Sequence, residues 1–126
     1  MVAEHFINML YKIAKQRPEG FTFNPIKNNF PTNGFVVATD KTQNCIGKVG
    51  LVKVILFYLS NYDYCIGGWR NEDGTMQFDA SKVYLNVEDA INAARDNGQR
   101  AIYDLHSGKA IMACDYNNYT SCAIAA

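Results

Sequence analysis

The chain has 126 residues, a length that suits one domain. Apolar residues make up 48% and charged residues 19%, enough for a packed core and unlike a disordered chain. Twelve Lys and Arg balance twelve Asp and Glu. This argues against a protein built to grip long nucleic acid, whose affinity comes from clustered cations. It leaves room for a small anion held by two or three donors, and near-neutral chains tend to self-associate.

The first segment reads as a helix. Phe6, Met9, Leu10 and Ile13 recur at three- and four-residue steps and share one face. Glu4 lies near its start and Lys12, Lys15 and Arg17 near its end, as the helix dipole favours. Pro18 forbids continuation. Two readings of this face stand: packing on its own sheet, or an arm that clasps another subunit. From Gly20 to Asn33 the chain is punctuated by turn residues, with a short strand at Phe21 and Phe23. After Asn33-Gly34, Phe35 to Thr39 is β-rich and reads as a strand. Asp40 to Lys48 is polar and Gly-broken, hence a loop.

Val49 to Tyr62 is ambiguous between helix and buried strand, and its length favours a helix. Val52, Ile55, Leu56 and Leu59 would form its face. Tyr64 to Arg70 reads as a strand, Asn71-Glu72-Asp73-Gly74 as a hairpin turn, and Thr75 to Asp79 as the return. The clearest element is the last helix. Asn86 caps it, Glu88 and Asp89 fill its first turn, and Val87, Ala90, Ile91 and Ala94 form its apolar face. Gly98 supplies a left-handed stop. Arg100 to Leu105 and Lys109 to Cys114 then pair as strands around His106-Ser107-Gly108. Asp115 to Ala126 reads as a tail, or an arm that orders on a neighbour. No linker or repeat divides the chain, so 1–126 is expected to be a single domain. Hairpins imply antiparallel pairing. The expected class is therefore α+β, an antiparallel sheet with an N-terminal anchoring helix and helices packed on one face.

Four cysteines are present, Cys45, Cys65, Cys114 and Cys122, with two histidines, His5 and His106. None forms a CxxC pair, so no metal site is expected. The N-terminus Met1-Val-Ala-Glu-His-Phe6 carries no basic region and no long apolar run. The cysteines are thus read as reduced thiols in a cytosol. The longest apolar stretch, Val49 to Leu59, is interrupted by Gly50 and Lys53 and is too short for a span of about 20 residues, so no membrane is expected.

No GxSxG, HExxH or P-loop pattern occurs. Asp104 and His106 are two residues apart, but the turn between them would point them apart. Asp79, Glu88 and Asp89 could pair as carboxylates, although first-turn placement explains the last two. Binding chemistry is richer, because aromatics are 13% of the chain. Rings stack on bases at roughly 1–3 kcal/mol per base, and Arg forks onto phosphates. Phe78 and Tyr84 are the stacking candidates. Arg70, Arg95 and Arg100 are phosphate candidates, and Asn92, Asn97 and Gln99 are polar readers. The competing reading is that Trp69, Phe78 and Tyr84 fill the core and that Arg95 and Arg100 are solvated.

The stretches Gly68-Trp69-Arg70, Phe78-Asp79-Ala80-Ser81, Val87-Glu88-Asp89-Ala90 and Asn97-Gly98-Gln99-Arg100-Ala101-Ile102-Tyr103-Asp104-Leu105 resemble a pattern of small phage proteins. The resemblance spans roughly residues 66–113, with a looser fit at Asn24-Pro25 and at Phe30-Pro31-Thr32-x-Gly34. It is to the first type of Thoeris anti-defence protein. The resemblance implies a phage-encoded sponge acting in the host bacterial cytoplasm, not an enzyme, and needing no cofactor or metal. Its ligand would be a cyclic ADP-ribose isomer (glycocyclic ADP-ribose) made by TIR-domain proteins. Some members also hold cyclic di- or trinucleotides, so both Thoeris- and CBASS-type immunity would be blocked without degrading the signal. It further implies a homo-oligomer, a dimer or a hexamer built as a trimer of dimers. The tail after Ala113 has no counterpart in that pattern. The alternatives are a protein-binding phage inhibitor of host defence, such as an anti-CRISPR, and a small enzyme using Asp104 and His106.

Overall fold

The computed structural model describes residues 2–113. The expected tail, with Cys114 and Cys122, lies outside the described residues. Among the described residues there are three helices and seven strands. The strands β1 (Phe21–Phe23), β2 (Phe35–Ala38), β3 (Cys45–Ile46), β4 (Cys65–Arg70), β5 (Met76–Tyr84), β6 (Ala101–Asp104) and β7 (Lys109–Met112) hydrogen-bond in the order β1-β4-β5-β2-β6-β7, with β3 pairing to β5 off that path. The class is α+β with an antiparallel sheet, as the hairpins imply. Contacts divide the chain into two compact units. The first comprises Met1–Phe30 and Lys41–Ala80; the second comprises Pro31–Asp40 and the described residues from Ser81 on.

In the first unit, helix α1 (Val2–Gln16) stops before Pro18, with Glu4 in its first turn and Lys15 in its last. Leu10 and Ala14, four residues apart, are fully buried. Phe6 rests against Tyr58 with ring centroids 6.0 Å apart. Of the two readings of this face, packing on the chain's own core accounts for Phe6, Leu10 and Ile13. Strand β1 (Phe21–Phe23) pairs with β4 (Cys65–Arg70), Phe21 opposite Gly68 and Phe23 opposite Ile66. Their inward side chains join Phe78 and Ala80 of β5 (Met76–Tyr84) in one core. Each such large apolar side chain contributes about 1.5–3 kcal/mol on full burial.

The segment Asp40–Lys48 departs from the expected loop. It holds a 3-10 turn (Asp40–Thr42) and the two-residue strand β3 (Cys45–Ile46), with Cys45 opposite Phe78. Two residues have no period to read, so only the pairing reveals this strand. Thr42 Oγ1 accepts a hydrogen bond from the Ala80 amide at 2.9 Å, inside the protein. Helix α2 (Gly47–Leu59) resolves the Val49–Tyr62 ambiguity in favour of a helix. Gly50 lies so close to the Cys45 backbone that no Cβ fits there. The buried face of α2 is Gly50, Leu51, Val54, Ile55 and Tyr58. Of the expected face, only Ile55 is buried; Val52, Leu56 and Leu59 are exposed. The helix is apolar all round, so its sequence period cannot choose a side. The hairpin turn forms as expected, the Asn71 amide donating to the Thr75 carbonyl at 2.8 Å. The returning strand, however, runs to Tyr84 and not to Asp79.

In the second unit, β2 (Phe35–Ala38) pairs with the end of β5 and with β6 (Ala101–Asp104), which pairs with β7 (Lys109–Met112). Helix α3 (Val87–Asp96) lays Ala90, Ile91 and Ala94 on Val37 and Ile102. Asn86 Oδ1 accepts from the amides of Glu88 at 2.8 Å and Asp89 at 3.2 Å, satisfying donors the helix leaves open. At the other end Gly98 has φ of 65°. The Gln99 amide reaches back to the Ala94 carbonyl and the Gly98 amide to the Arg95 carbonyl, a Schellman closure.

Candidate functional site

Helix spacing brings Asn8, Tyr11, Lys12 and Lys15 onto one face of α1, because residues three, four and seven apart are neighbours there. Lys48, in the first turn of α2, meets them. These five residues line a shallow cleft of about 210 Å³ within the first unit. The Lys15 and Lys48 ammonium groups stand 5.6 Å and 5.4 Å from the Tyr11 ring centroid. The ring packs on that of Phe78, 6.0 Å away and tilted by 34°. Two cations thus stand over one partly exposed ring, Lys12 lines the same cleft, and among the described residues no carboxylate does. Helix α2 opens at Ile46 with no side-chain cap and no acidic residue in its first turn. The positive end of its dipole is therefore left unneutralised by its own side chains. Each cation is worth roughly 1–4 kcal/mol against a phosphate at 4 Å near a protein surface. The cleft suits a phosphate or pyrophosphate with a flat group beside Tyr11.

None of the candidate residues expected from the sequence lines this cleft. Lys12 and Lys15 are expected as dipole complements, although their spacing with Asn8 and Tyr11 already marks one helix face. The approach of Lys48 has no signal in the sequence, because it depends on how α1 and α2 pack.

The expected site residues divide between the units: Arg70 and Phe78 lie in the first, and Tyr84, Asn92, Arg95, Asn97, Gln99 and Arg100 in the second. Phe78 is corrected from stacking group to core residue. It is 0% exposed at the centre of the first core and offers no free face to a base. Asn97 is corrected from polar reader to helix cap. Its Nδ2 donates to the Ala93 carbonyl at 2.9 Å, and its Oδ1 accepts from the Asp40 amide at 3.3 Å. Gln99 Nε2 turns to the Asn97 carbonyl at 3.4 Å. Tyr84 packs along the second core. Arg70 and Asn92 are exposed on β4 and α3. Arg95 sits in the last turn of α3, where the negative end of the dipole disfavours a phosphate and favours cations, and Arg100 is exposed just before β6.

Other chemistry follows the same accounting. Asp104 is committed to its turn, accepting from the His106 amide and the Ser107 hydroxyl, each at 3.0 Å. Burial pushes the Cys65 thiol up to about 11 and raises Cys45 as well, which keeps both protonated and poor nucleophiles. Desolvation lifts the Asp79 carboxyl to about 6. Among the described residues no three His, Cys, Asp or Glu side chains converge as a metal ion would need. Among them, too, no helix is long and apolar enough to cross a membrane. Comparison with protein-family models, with curated proteins and with solved structures gives no match.

Proposed function

We propose that this chain is a binding protein that captures a small phosphate-bearing nucleotide and releases it unchanged. The observation that carries the reading is the cleft that Lys12, Lys15 and Lys48 line beside Tyr11, with the Lys15 and Lys48 ammonium groups over its ring and no carboxylate among the described residues lining it. The sequence resemblance to the Thoeris anti-defence sponges narrows the ligand to a cyclic ADP-ribose isomer, and implies action in a phage-infected bacterial cytoplasm. Adenine would lie along Tyr11 and the pyrophosphate among the lysines. No nucleophile has a part in this scheme.

Ligand pockets that enclose a drug-sized molecule run to about 300–1,000 Å³. A cleft of about 210 Å³ takes the pyrophosphate and leaves the rest of such a ligand outside. Full enclosure needs a second wall, which agrees with the homo-oligomer that the resemblance implies.

Native mass spectrometry after incubation with cyclic ADP-ribose isomers and cyclic di- and trinucleotides tests the reading. One of them should be retained, and heating should release it intact. Replacing Lys12, Lys15 and Lys48 together by Ala should weaken capture by at least about tenfold, the loss expected when charge-assisted contacts go. Retention of none, a linear product, or capture indifferent to the three lysines would overturn it. A protein-binding inhibitor is the second reading, favoured by the exposed apolar residues of α2.

A further inference from the structure

Helix α2 is the most apolar of the described helices and has only one side in its core. Its outer side carries Val49, Val52, Leu56 and Leu59, which are 72%, 37%, 62% and 45% exposed. Their steps of three, four and three residues are those of a coiled-coil seam, with Val49 and Leu56 in one row and Val52 and Leu59 in the other. A surface stripe of this kind on a helix otherwise buried is out of place in a solvated protein.

Charge is distributed unevenly along the seam. Lys48 and Lys53 flank its first half, and α2 contains no acidic residue. From Val54 to Tyr64 there is no Lys or Arg, and Asp63 follows the helix. A parallel pair of such helices would gather all four lysines at one end. An antiparallel pair separates them. It sets each lysine-bearing half against the carboxyl end of the other helix, where the dipole is negative, and opposes the two dipoles. The stripe is then self-complementary about a two-fold axis, as a closed dimer requires. Val49 packs on Leu59 of the second copy, and Val52 on Leu56 of the second copy.

We infer that the exposed face of α2 is the seam of a two-fold, antiparallel contact between two copies of this chain. This names a face for the self-association within the proposed function, and the test uses no nucleotide. A failed seam therefore leaves ligand capture standing, and failed capture leaves the seam standing. Four side chains make a narrow seam beside the roughly 20–30 residues a side of a standard interface, so measurements belong at high protein concentration.

The test is sedimentation velocity on the full chain, with circular dichroism to verify folding. Wild-type protein should sediment as a dimer or a multiple of it. Val52→Glu and Leu56→Lys should each halve that mass. Mixing the two variants should restore it, because the introduced carboxylate of one chain then faces the introduced ammonium of the other while the remaining layer stays apolar. A monomeric wild type would overturn the seam and leave the stripe to a different protein. Variants that keep the wild-type mass would overturn it too. Folded variants that stay at half mass when mixed would overturn the antiparallel register.

Discussion

Asp79 shows how one residue's surroundings set its chemistry. It alternates with the core residues Phe78 and Ala80 along β5, and burial pushes its carboxyl to about 6 from an ordinary 3.8. The folded protein therefore holds this proton where the unfolded chain has released it. Stability from this group falls as pH rises from about 4 to about 6, and the loss persists above that range. Asp79→Asn should be the more stable protein at pH 7 by on the order of 1–2 kcal/mol, with the gap closing near pH 4. Urea midpoints at the two pH values measure this, and an equal gap at both would contradict it. Tyr11 and Phe78 give a related lesson. Both are rings of one packed pair, but only Tyr11 of the two reaches solvent, and so only Tyr11 is open to a ligand.

Among the elements, α3 and α2 contrast. The ends of α3 are written in the chain as Asn86, Gly98 and the first-turn acids Glu88 and Asp89, and the structure uses each as chemistry suggests. Asn86→Ala leaves the Glu88 and Asp89 amides without their acceptor, and should lower stability by about 1 kcal/mol. Thermal unfolding of the variant checks this; an unchanged midpoint would mean that the second unit does not depend on its cap. Helix α2 has no such marks. Ile46 offers no cap, and apolar residues occupy every side. Its length announces a helix, but its period says nothing of which side meets the core. That is why the expected face retained only Ile55. Strand β3 was hidden for a different reason: its existence depends on partners in β5 that are distant in sequence.

Across the molecule, zero formal net charge conceals local concentration. Three of the twelve Lys and Arg meet at one cleft without a lining acid among the described residues, enough for a small anion and far short of a nucleic acid track. Binding there should stabilise the fold by mass action, about 2.7 kcal/mol at a ligand concentration 100 times its dissociation constant. Thermal shift with the retained nucleotide should show this rise, and the apparent affinity should weaken between low and physiological salt, as expected of exposed cations. A shift insensitive to salt would place the ligand away from the lysines.

Residues close together along the chain were enough to dictate the class of fold, most of the helices and hairpins, and the caps of α3. These rest on local periods, turn residues and hydrogen bonds reaching only a few positions. The same local spacing brought Asn8, Tyr11, Lys12 and Lys15 to one helix face. Four outcomes had to wait for the folded packing: Lys48 joins that face, Phe78 is sealed in the core, Asn97 is consumed as a cap, and α2 turns Val49, Val52, Leu56 and Leu59 outward. Each depends on which surfaces pack together, and packing is a property of distant segments meeting, which no window along the chain contains.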